Sequence, residues 1–538
     1  MVDEQAAASL IFDPRVQSSL WDHMFNKCVV RLGPREQYRQ RQETLKQLET
    51  DVAKGAYAPR PIHGYLSSPK GMGVARFIPV LSYQDFAVYF GCVRAFDEQL
   101  AELAVEDTYG GWSLGGKRRD FEAQHARASI NSARSTPPMS EPVNDDLFDL
   151  GVSIPISSYN RWAWMENWCQ YWKLLAAKFE HAPSDSCFAM LDVANFYDTI
   201  DLPRLIRAVR SQVRGSSLAI EVLSFFLSNW NRELNQYAPT TKGLPMDVVG
   251  DCSRVLANFY LTPFDATMRR LAQEREASFM RFADDMVLAC PDQATCEELV
   301  FRASMELHRF GLNINVAKVR FLTSQDFHRW WGFAIMDSFE VEDQLLVGLE
   351  ALRRLWDDEG YGRRHMALKR AISKLAQRPQ LGEWQAWAYG VACSSEETLL
   401  ELSESQMRNL LKIAPSLPDA IDCLVAAILK SPFTAPMACL LRCIEPYLAH
   451  RDQSVRTAAH QVVESIRKVN DPVLNLALDT IPHRAIPAPS RKTAASSARS
   501  KPIDEVPNSE QLWFDEALPL DLSQLPPLEP TAGSVTQQ

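Results

Sequence analysis

The chain has 538 residues, 46% hydrophobic and 10% aromatic, enough apolar material for about two to four packed domains. Its 57 Lys and Arg against 67 Asp and Glu give a formal net charge of -10, which excludes a uniformly basic nucleic-acid coat and requires any phosphate binding to be local. No apolar run reaches the roughly 18 residues that cross a bilayer, and 11 cysteines without a C-x-x-C pair exclude a disulfide framework or a zinc site.

Met1–Leu20 has no basic segment leading into an apolar block, so a cytoplasmic protein without a membrane partner is expected. Residues 1–60 are polar and helix-forming and read as an N-terminal helical extension. The turn-rich stretch AYAPRPIHGYLSSPKGMG follows, then the strand-like VARFIPVL at 74–81 and the helically spaced YQDFAVYFGCVRAFDEQLAELA. Residues 106–160, rich in Gly, Ser, Pro and Arg, read as an irregular surface excursion with a basic patch at Lys117, Arg118, Arg119 and Arg127. The aromatic stretch at 159–180 is long enough for a helix and leads into the apolar strand CFAMLDV.

Chemistry begins there. In FAMLDVANFYDTID (188–201) a strand delivers Asp192 to its end, with Phe196 and Tyr197 beside it. In SFMRFADDMVLA (278–289) the paired acids Asp284 and Asp285 sit between two apolar runs, the pattern of a β-hairpin with its turn at the acids. Adjacent charges near a core need a neutralising partner, and Mg²⁺ takes carboxylates together with substrate phosphates. Three such acids on neighbouring strands suit a site for two Mg²⁺ ions, with Mn²⁺ as a substitute, holding the attacking and leaving oxygens of an in-line displacement. Taken alone, each acid could equally be an ordinary strand-end residue; the intervening strings decide against that. KGLPMDVVGDCSRVLANFYLTPFD (242–265) is a Gly-Pro turn opening into an amphipathic helix with Ser253 near its start, RFGLNINVAKVRFL (309–322) carries Lys318 on a strand or turn, and HRWWGFAI (328–335) reads as a compact aromatic-Gly-aromatic strand.

In order, spacing and residue type, residues 65 to 340 resemble the palm of reverse transcriptases, and among them the bacterial defence-associated, or abortive-infection, group, with similar D-x-x-N-F-Y, G-L-P followed by S-R-x-L-A-N-x-Y-L, and A-D-D strings. That resemblance implies an α+β right-hand polymerase: fingers, a palm with an antiparallel sheet, a helical thumb. It implies metal binding by Asp192, Asp284 and Asp285. Tyr197 lies where the family sets an aromatic ring under the sugar, which selects dNTP over NTP; its alternative is a core tyrosine. Lys318 matches a lysine that can protonate or stabilise departing pyrophosphate, its alternative being a surface lysine. Arg76, and secondarily Lys70, match the fingers clamp on the triphosphate, for which a guanidinium fork is suited. Phe196, Gly243, Pro245 and Ser253 complete the implied nucleotide-binding set. One departure stands out: Met246 to Cys252 separate Pro245 from Ser253, a longer spacing than the x-G-x-x-S of relatives, in the loop that there meets the templating base.

After 345 the chain turns helical and basic, with Arg353, Arg354, Arg363, Arg364, Lys369, Arg370 and Lys374 in the place of a duplex-tracking thumb, a solvated helix face being the alternative. From about 395 to 480 helix-sized segments recur roughly every seventeen to twenty residues, as in a short helical solenoid, with HRDQSVRTAAHQVVESI similar to a HEAT repeat. The proline-rich tail from 482 reads as disordered, with an apolar island at 512–520. The expected division is therefore 1–60 N-terminal extension, 61–180 fingers, 181–340 palm, 341–394 thumb, 395–481 α-helical repeat-like domain and 482–538 tail.

The implied function is RNA-directed DNA synthesis on a 3′-hydroxyl, in defence against phage, with dNTPs, an RNA template or bound non-coding RNA and a DNA product as partners and self-association through the helical repeats. Three alternatives stay open: template-independent synthesis primed from a hydroxyl of the protein, a non-catalytic palm scaffold whose helical repeats bind a partner, and an RNA-dependent RNA polymerase. All depend on whether the three carboxylates converge.

Overall fold

The computed structural model describes residues 8–9, 11–12, 17, 20, 38–70, 73–112, 114, 163–180, 182–215, 217–231, 243–246, 252–479 and 481. Most of the N-terminal extension, nearly all of the 106–160 excursion with its basic patch, the loop after Met246 and the tail lie outside these residues.

Helix α1 (Tyr38–Ala53) precedes an antiparallel hairpin of β1 (Tyr65–Pro69) and β2 (Ala75–Pro79), in which Ser68 faces Arg76 across the ladder. Ser82 then caps α2 (Tyr83–Arg94) by accepting from the Asp85 N–H, and α2 is buried almost throughout. After α3 (Asp97–Ala101) comes the two-residue strand β3 (Thr108–Tyr109), and then α4 (Ala163–Phe179).

The strand expected at CFAMLDV is β4 (Cys187–Asp192), buried along nearly its whole length. The next elements are α5 (Phe196–Thr199), α6 (Leu202–Gln212), α7 (Ser217–Asn229), α8 (Cys252–Tyr260) and α9 (Thr262–Gln273). The hairpin expected at the paired acids is β5 (Ser278–Phe282) and β6 (Asp285–Cys290); α10 (Gln293–Arg309) and β7 (Arg320–Thr323) follow. The strands form one sheet in the order β3-β5-β6-β4-β7. Every pairing is antiparallel except β3 with β5, so the sheet is mixed rather than wholly antiparallel. Parallel pairing requires a long connection, and the long segment between β3 and β5 supplies it. Helix α10 covers β4 and β6, while α4 packs on β3 and β5 with Trp168 and Tyr171 against Phe282.

HRWWGFAI is not a strand. It is the end of α11 (Ser324–Trp331) and the start of α12 (Phe333–Glu340), broken at Gly332 with φ 62°. Thr323 caps α11 by accepting from the Asp326 N–H. Gly332 ends it in the left-handed conformation, where a Cβ would lie 2.2 Å from the Tyr361 ring. The apolar residues thus face one side of two short helices: Phe327 stacks on Phe188 at 4.2 Å between centroids, and Trp331 on Phe333 at 5.8 Å.

The helical region continues through α13 (Leu345–Arg354), α14 (Arg364–Leu375), α15 (Gly382–Ser394), α16 (Glu396–Leu400), α17 (Glu404–Ile413), α18 (Leu417–Ile428), α19 (Thr434–Ile444), α20 (Gln453–Arg467) and α21 (Pro472–Asp479). Packing alternates. Helix α15 rests on α17, α17 on α19 and α19 on α21, while α16 rests on α18 and α18 on α20. Two rows result, the stacking expected when each helix pair buries its apolar stripe on the next. Helix α19 also packs on β1. No helix among the described residues is long and apolar enough to cross a membrane.

Candidate active site

The sheet register brings the acids together. Asp192 ends β4 directly opposite Asp285, the first residue of β6, and Asp284 lies in the two-residue turn between Phe282 and Asp285. Like charges opposite one another in a ladder repel, so this pairing needs a cation. The turn is built with care for shape: Ala283 takes φ 51°, the left-handed region a tight hairpin demands. Its N–H donates to the Tyr109 carbonyl at 3.1 Å. Gly110 permits that approach, because a Cβ there would lie 2.6 Å from the Ala283 nitrogen.

Beneath the turn lies Arg281, fully buried. Its guanidinium forks onto Asp265 with Nε at 2.7 Å and Nη2 at 2.5 Å, and Nη1 donates to Asn258 Oδ1 at 2.8 Å and to the Ala283 carbonyl at 2.6 Å. The acidic turn is therefore tied to α8 and α9 by one side chain.

On the other flank, the segment after α10 folds back on β4: the Asn315 N–H donates to the Asp192 carbonyl at 2.7 Å and the Ala194 N–H to the Asn313 carbonyl at 2.8 Å. A 3₁₀ turn over Val316–Lys318 then delivers Lys318, whose Nζ reaches Asp192 Oδ1 at 2.8 Å, while Asn315 Nδ2 donates to Oδ2 at 3.0 Å.

Burial, then repulsion from Asp285 and Asp192, pushes the Asp284 carboxyl up to about 6 from an ordinary 3.8. Burial also raises Asp285, against the opposing pull of Arg363. Between about pH 4 and 6 the folded chain then holds a proton on Asp284 that the unfolded chain has lost. Stability of the metal-free protein should consequently fall as pH rises through that window, since the folded state is the better proton binder. A divalent cation replaces the proton, so millimolar Mg²⁺ should flatten the fall; urea midpoints from pH 4 to 7, with and without Mg²⁺, check this.

Above the acids stands the β1–β2 hairpin. Lys70 Nζ donates to Asn195 Oδ1 at 3.2 Å. Burial raises the Asp198 carboxyl, opposed by Lys70 and Arg76, so both cations face the turn after β4. A cavity of about 740 Å³ opens between hairpin and sheet, and Asp192, Asp284, Asp285, Lys318, Lys70, Arg76, Phe196 and Tyr197 all line it. As placed, Asp192 is engaged by Lys318 and Asn315, and among the described residues no three His, Cys, Asp or Glu side chains form a closed metal-ligand set. The chemistry of the donors nonetheless fits: hard carboxylate oxygens, buried, mutually repelling and opening on a cavity, are what Mg²⁺ or Mn²⁺ takes.

Residues 156–335 match the family described as reverse transcriptase (RNA-dependent DNA polymerase). The chain carries a reverse transcriptase domain. It is accordingly a nucleotidyltransferase with a right-hand polymerase fold. Similar solved structures include apo telomerase from Candida tropicalis, at 11% identity over 78% of this chain and 74% of that one with a TM-score of 0.32. Telomerase from Candida albicans in complex with a TWJ fragment of telomeric RNA shares 12% identity over 49% of this chain and 50% of that one, with a TM-score of 0.24. No curated protein matches the sequence.

Three residues expected at the nucleotide do not face the cavity of the reverse transcriptase domain. Gly243 lies under α5, where a Cβ would meet the Tyr197 carbonyl at 1.9 Å. Pro245 and Ser253 are held to each other beneath the site: the Ser253 hydroxyl, 1% exposed, donates to the Pro245 carbonyl and pairs with the Tyr89 hydroxyl at 2.8 Å. They shape the floor from below, while Met246 and Arg254, the neighbours of those strings, line the cavity.

The basic cluster does not form one face. Arg370 is 3% exposed with Nη2 at 2.6 Å from the exposed Glu340, so its guanidinium is turned onto that acid and not toward a nucleic acid. Lys374 shares Glu340 at 3.7 Å, and Lys369 pairs with Glu401 at 2.9 Å. Arg364 donates to the Asp358 carbonyl at 3.2 Å. Arg363 lies over Trp331 at 4.5 Å and Trp168 at 5.8 Å, near Asp285 at the acidic end of the sheet. Arg353 and Arg354 remain exposed.

Arg254, Trp168, Asp198 and Arg281 were not among the sequence candidates. Arg254 stood inside the S-R-x-L-A-N string, Asp198 and Arg281 inside the two acid-bearing strings and Trp168 in the aromatic stretch before β4, each beside residues that were singled out.

Proposed function

We propose that the reverse transcriptase domain adds dNTPs to a 3′-hydroxyl on an RNA template, and that the protein acts in defence against phage. The observation that carries the chemistry is that one cavity has three carboxylates on its floor and Lys70 and Arg76 on its roof. Asp192, Asp284 and Asp285 would hold two Mg²⁺ ions, which when bound neutralise charge on the attacking and leaving oxygens. Lys70 and Arg76 bind the triphosphate and orient its α-phosphate toward the 3′-hydroxyl. Lys318, beside Asp192, stabilises the departing pyrophosphate. Support for the defence role is the resemblance of the D-x-x-N-F-Y, S-R-x-L-A-N-x-Y-L and A-D-D strings to the bacterial defence-associated enzymes.

Tyr197 is half-buried and lines the cavity, so its ring is available to exclude a 2′-hydroxyl. Tyr197→Ala is expected to raise NTP incorporation relative to dNTP by roughly tenfold or more, the scale of a lost steric exclusion. An unchanged ratio would remove Tyr197 from the selectivity role. The template assignment is tested by extending a primer on defined RNA with four dNTPs and with each alone. Products that copy the RNA support the proposal; homopolymers made from any dNTP without RNA would replace it with template-independent synthesis.

A further inference from the structure

Strand β1 of the hairpin is held along both its edges. Its inner edge pairs β1 with β2, placing Ser67 opposite Phe77 and one residue from the Ser68–Arg76 pair. The Ser67 N–H turns away from β2 and donates to the Thr434 hydroxyl at 2.9 Å. In return the Thr434 N–H donates to the Ser67 hydroxyl at 2.9 Å. Thr434 is the first residue of α19, whose N-terminal N–H groups have no partner inside the helix, and its own N-cap position is Phe433, which supplies no side-chain bond. The strand thus caps the helix and the helix closes the open edge of the strand, although the two residues are 367 positions apart. A second contact lies at the hairpin's base: Gly64 fits under α21, where a Cβ would come within 2.8 Å of a Val473 methyl.

These contacts join the C-terminal helical rows to the element that carries Lys70 and Arg76 into the cavity. We propose that the helical rows position the nucleotide-binding hairpin, with Thr434 and Ser67 as the clasp that sets Lys70 and Arg76 over the acids. This rests on the polymerase reading of the cavity. A hairpin without this clasp is freer to lift, and a lifted hairpin takes both cations away from the triphosphate without disturbing the acids. Thr434 and Ser67 are positioning residues: neither lines the cavity.

The test uses the full chain and three variants. Thr434→Val keeps the shape and removes the hydroxyl that accepts from the Ser67 N–H, Ser67→Ala removes the hydroxyl that accepts from the Thr434 N–H, and Thr434→Ser keeps both bonds. Thr434→Val and Ser67→Ala are expected to raise the KM for dNTP by about five- to tenfold, the scale of one lost hydrogen bond, with kcat within about twofold of the parent. Thr434→Ser should behave as the parent, and the double variant, which loses both reciprocal bonds, should raise the KM further than either single one. A KM unchanged in Thr434→Val, in a chain that incorporates dNTP, overturns the proposal. Hydrogen exchange of amides 65–79 gives a readout independent of catalysis: faster exchange in Thr434→Val is expected, and unchanged protection overturns the proposal whatever the activity. Absence of incorporation by the parent chain would instead count against the polymerase reading alone.

Discussion

Asp284→Asn should abolish nucleotide incorporation while making the metal-free protein more stable. The two effects have one cause. Asp284 lies in the turn beside Asp285, which the ladder sets opposite Asp192, and its carboxyl is pushed up to about 6 by burial and by those two neighbours. An amide of the same shape fills the same space and carries no charge, so the repulsion that strains the turn disappears. The same loss removes a hard anionic donor, and metal ions held by too few carboxylates no longer neutralise the charge of the reacting phosphate. Incorporation is expected to fall by roughly a hundred- to a thousandfold or more, the scale of removing a preorganised charge-stabilising group. Primer extension and urea unfolding on the same preparation separate the outcomes. Lower activity with lower stability would mean a damaged fold, and full incorporation would remove Asp284 from the metal-binding role.

The acidic hairpin was legible because its information is local. Two short apolar runs on either side of paired acids admit few other structures, and β5 and β6 follow them closely. HRWWGFAI failed because a short run of aromatic residues satisfies a strand and a helix equally; the left-handed Gly332 against Tyr361 decides between them, and that contact lies outside the string itself. The basic cluster failed for a different reason. Charges counted along a sequence are not charges counted on a surface, and Glu340 and Glu401, each about thirty residues from its partner, take up Arg370 and Lys369. Gly243 and Ser253 belong to strings that resemble the family's nucleotide pocket, yet their side of the turn faces inward, and only their neighbours Met246 and Arg254 reach the cavity. The C-terminal rows were visible as a period of helix-sized segments. Their docking on β1 was not, since Thr434 and Ser67 carry no pattern that points to each other.

Arg281→Met should cost about 3–5 kcal/mol of stability, the effect of stranding a buried carboxylate. Arg281 and Asp265 are both fully buried and joined by two parallel bonds, and Arg281 also serves Asn258 and the Ala283 carbonyl. Methionine fills much of the volume and leaves Asp265 without its counter-ion, so the loss comes chiefly from the acid left behind and not from packing. The double variant Arg281→Met with Asp265→Leu should therefore recover most of the stability, because a buried ion pair replaced by apolar side chains of similar volume is often neutral. Activity should not recover with it. The bond from Arg281 to the Ala283 carbonyl is what ties the Asp284 turn to α8 and α9, and apolar side chains cannot make it. Urea midpoints for the parent, both single variants and the double variant form the cycle, with primer extension on each. A double variant as unstable as Arg281→Met would locate the cost in the turn itself. One that regained full activity would show that the Tyr109 and Gly110 contacts suffice to hold the acids, and that Arg281 serves the fold alone.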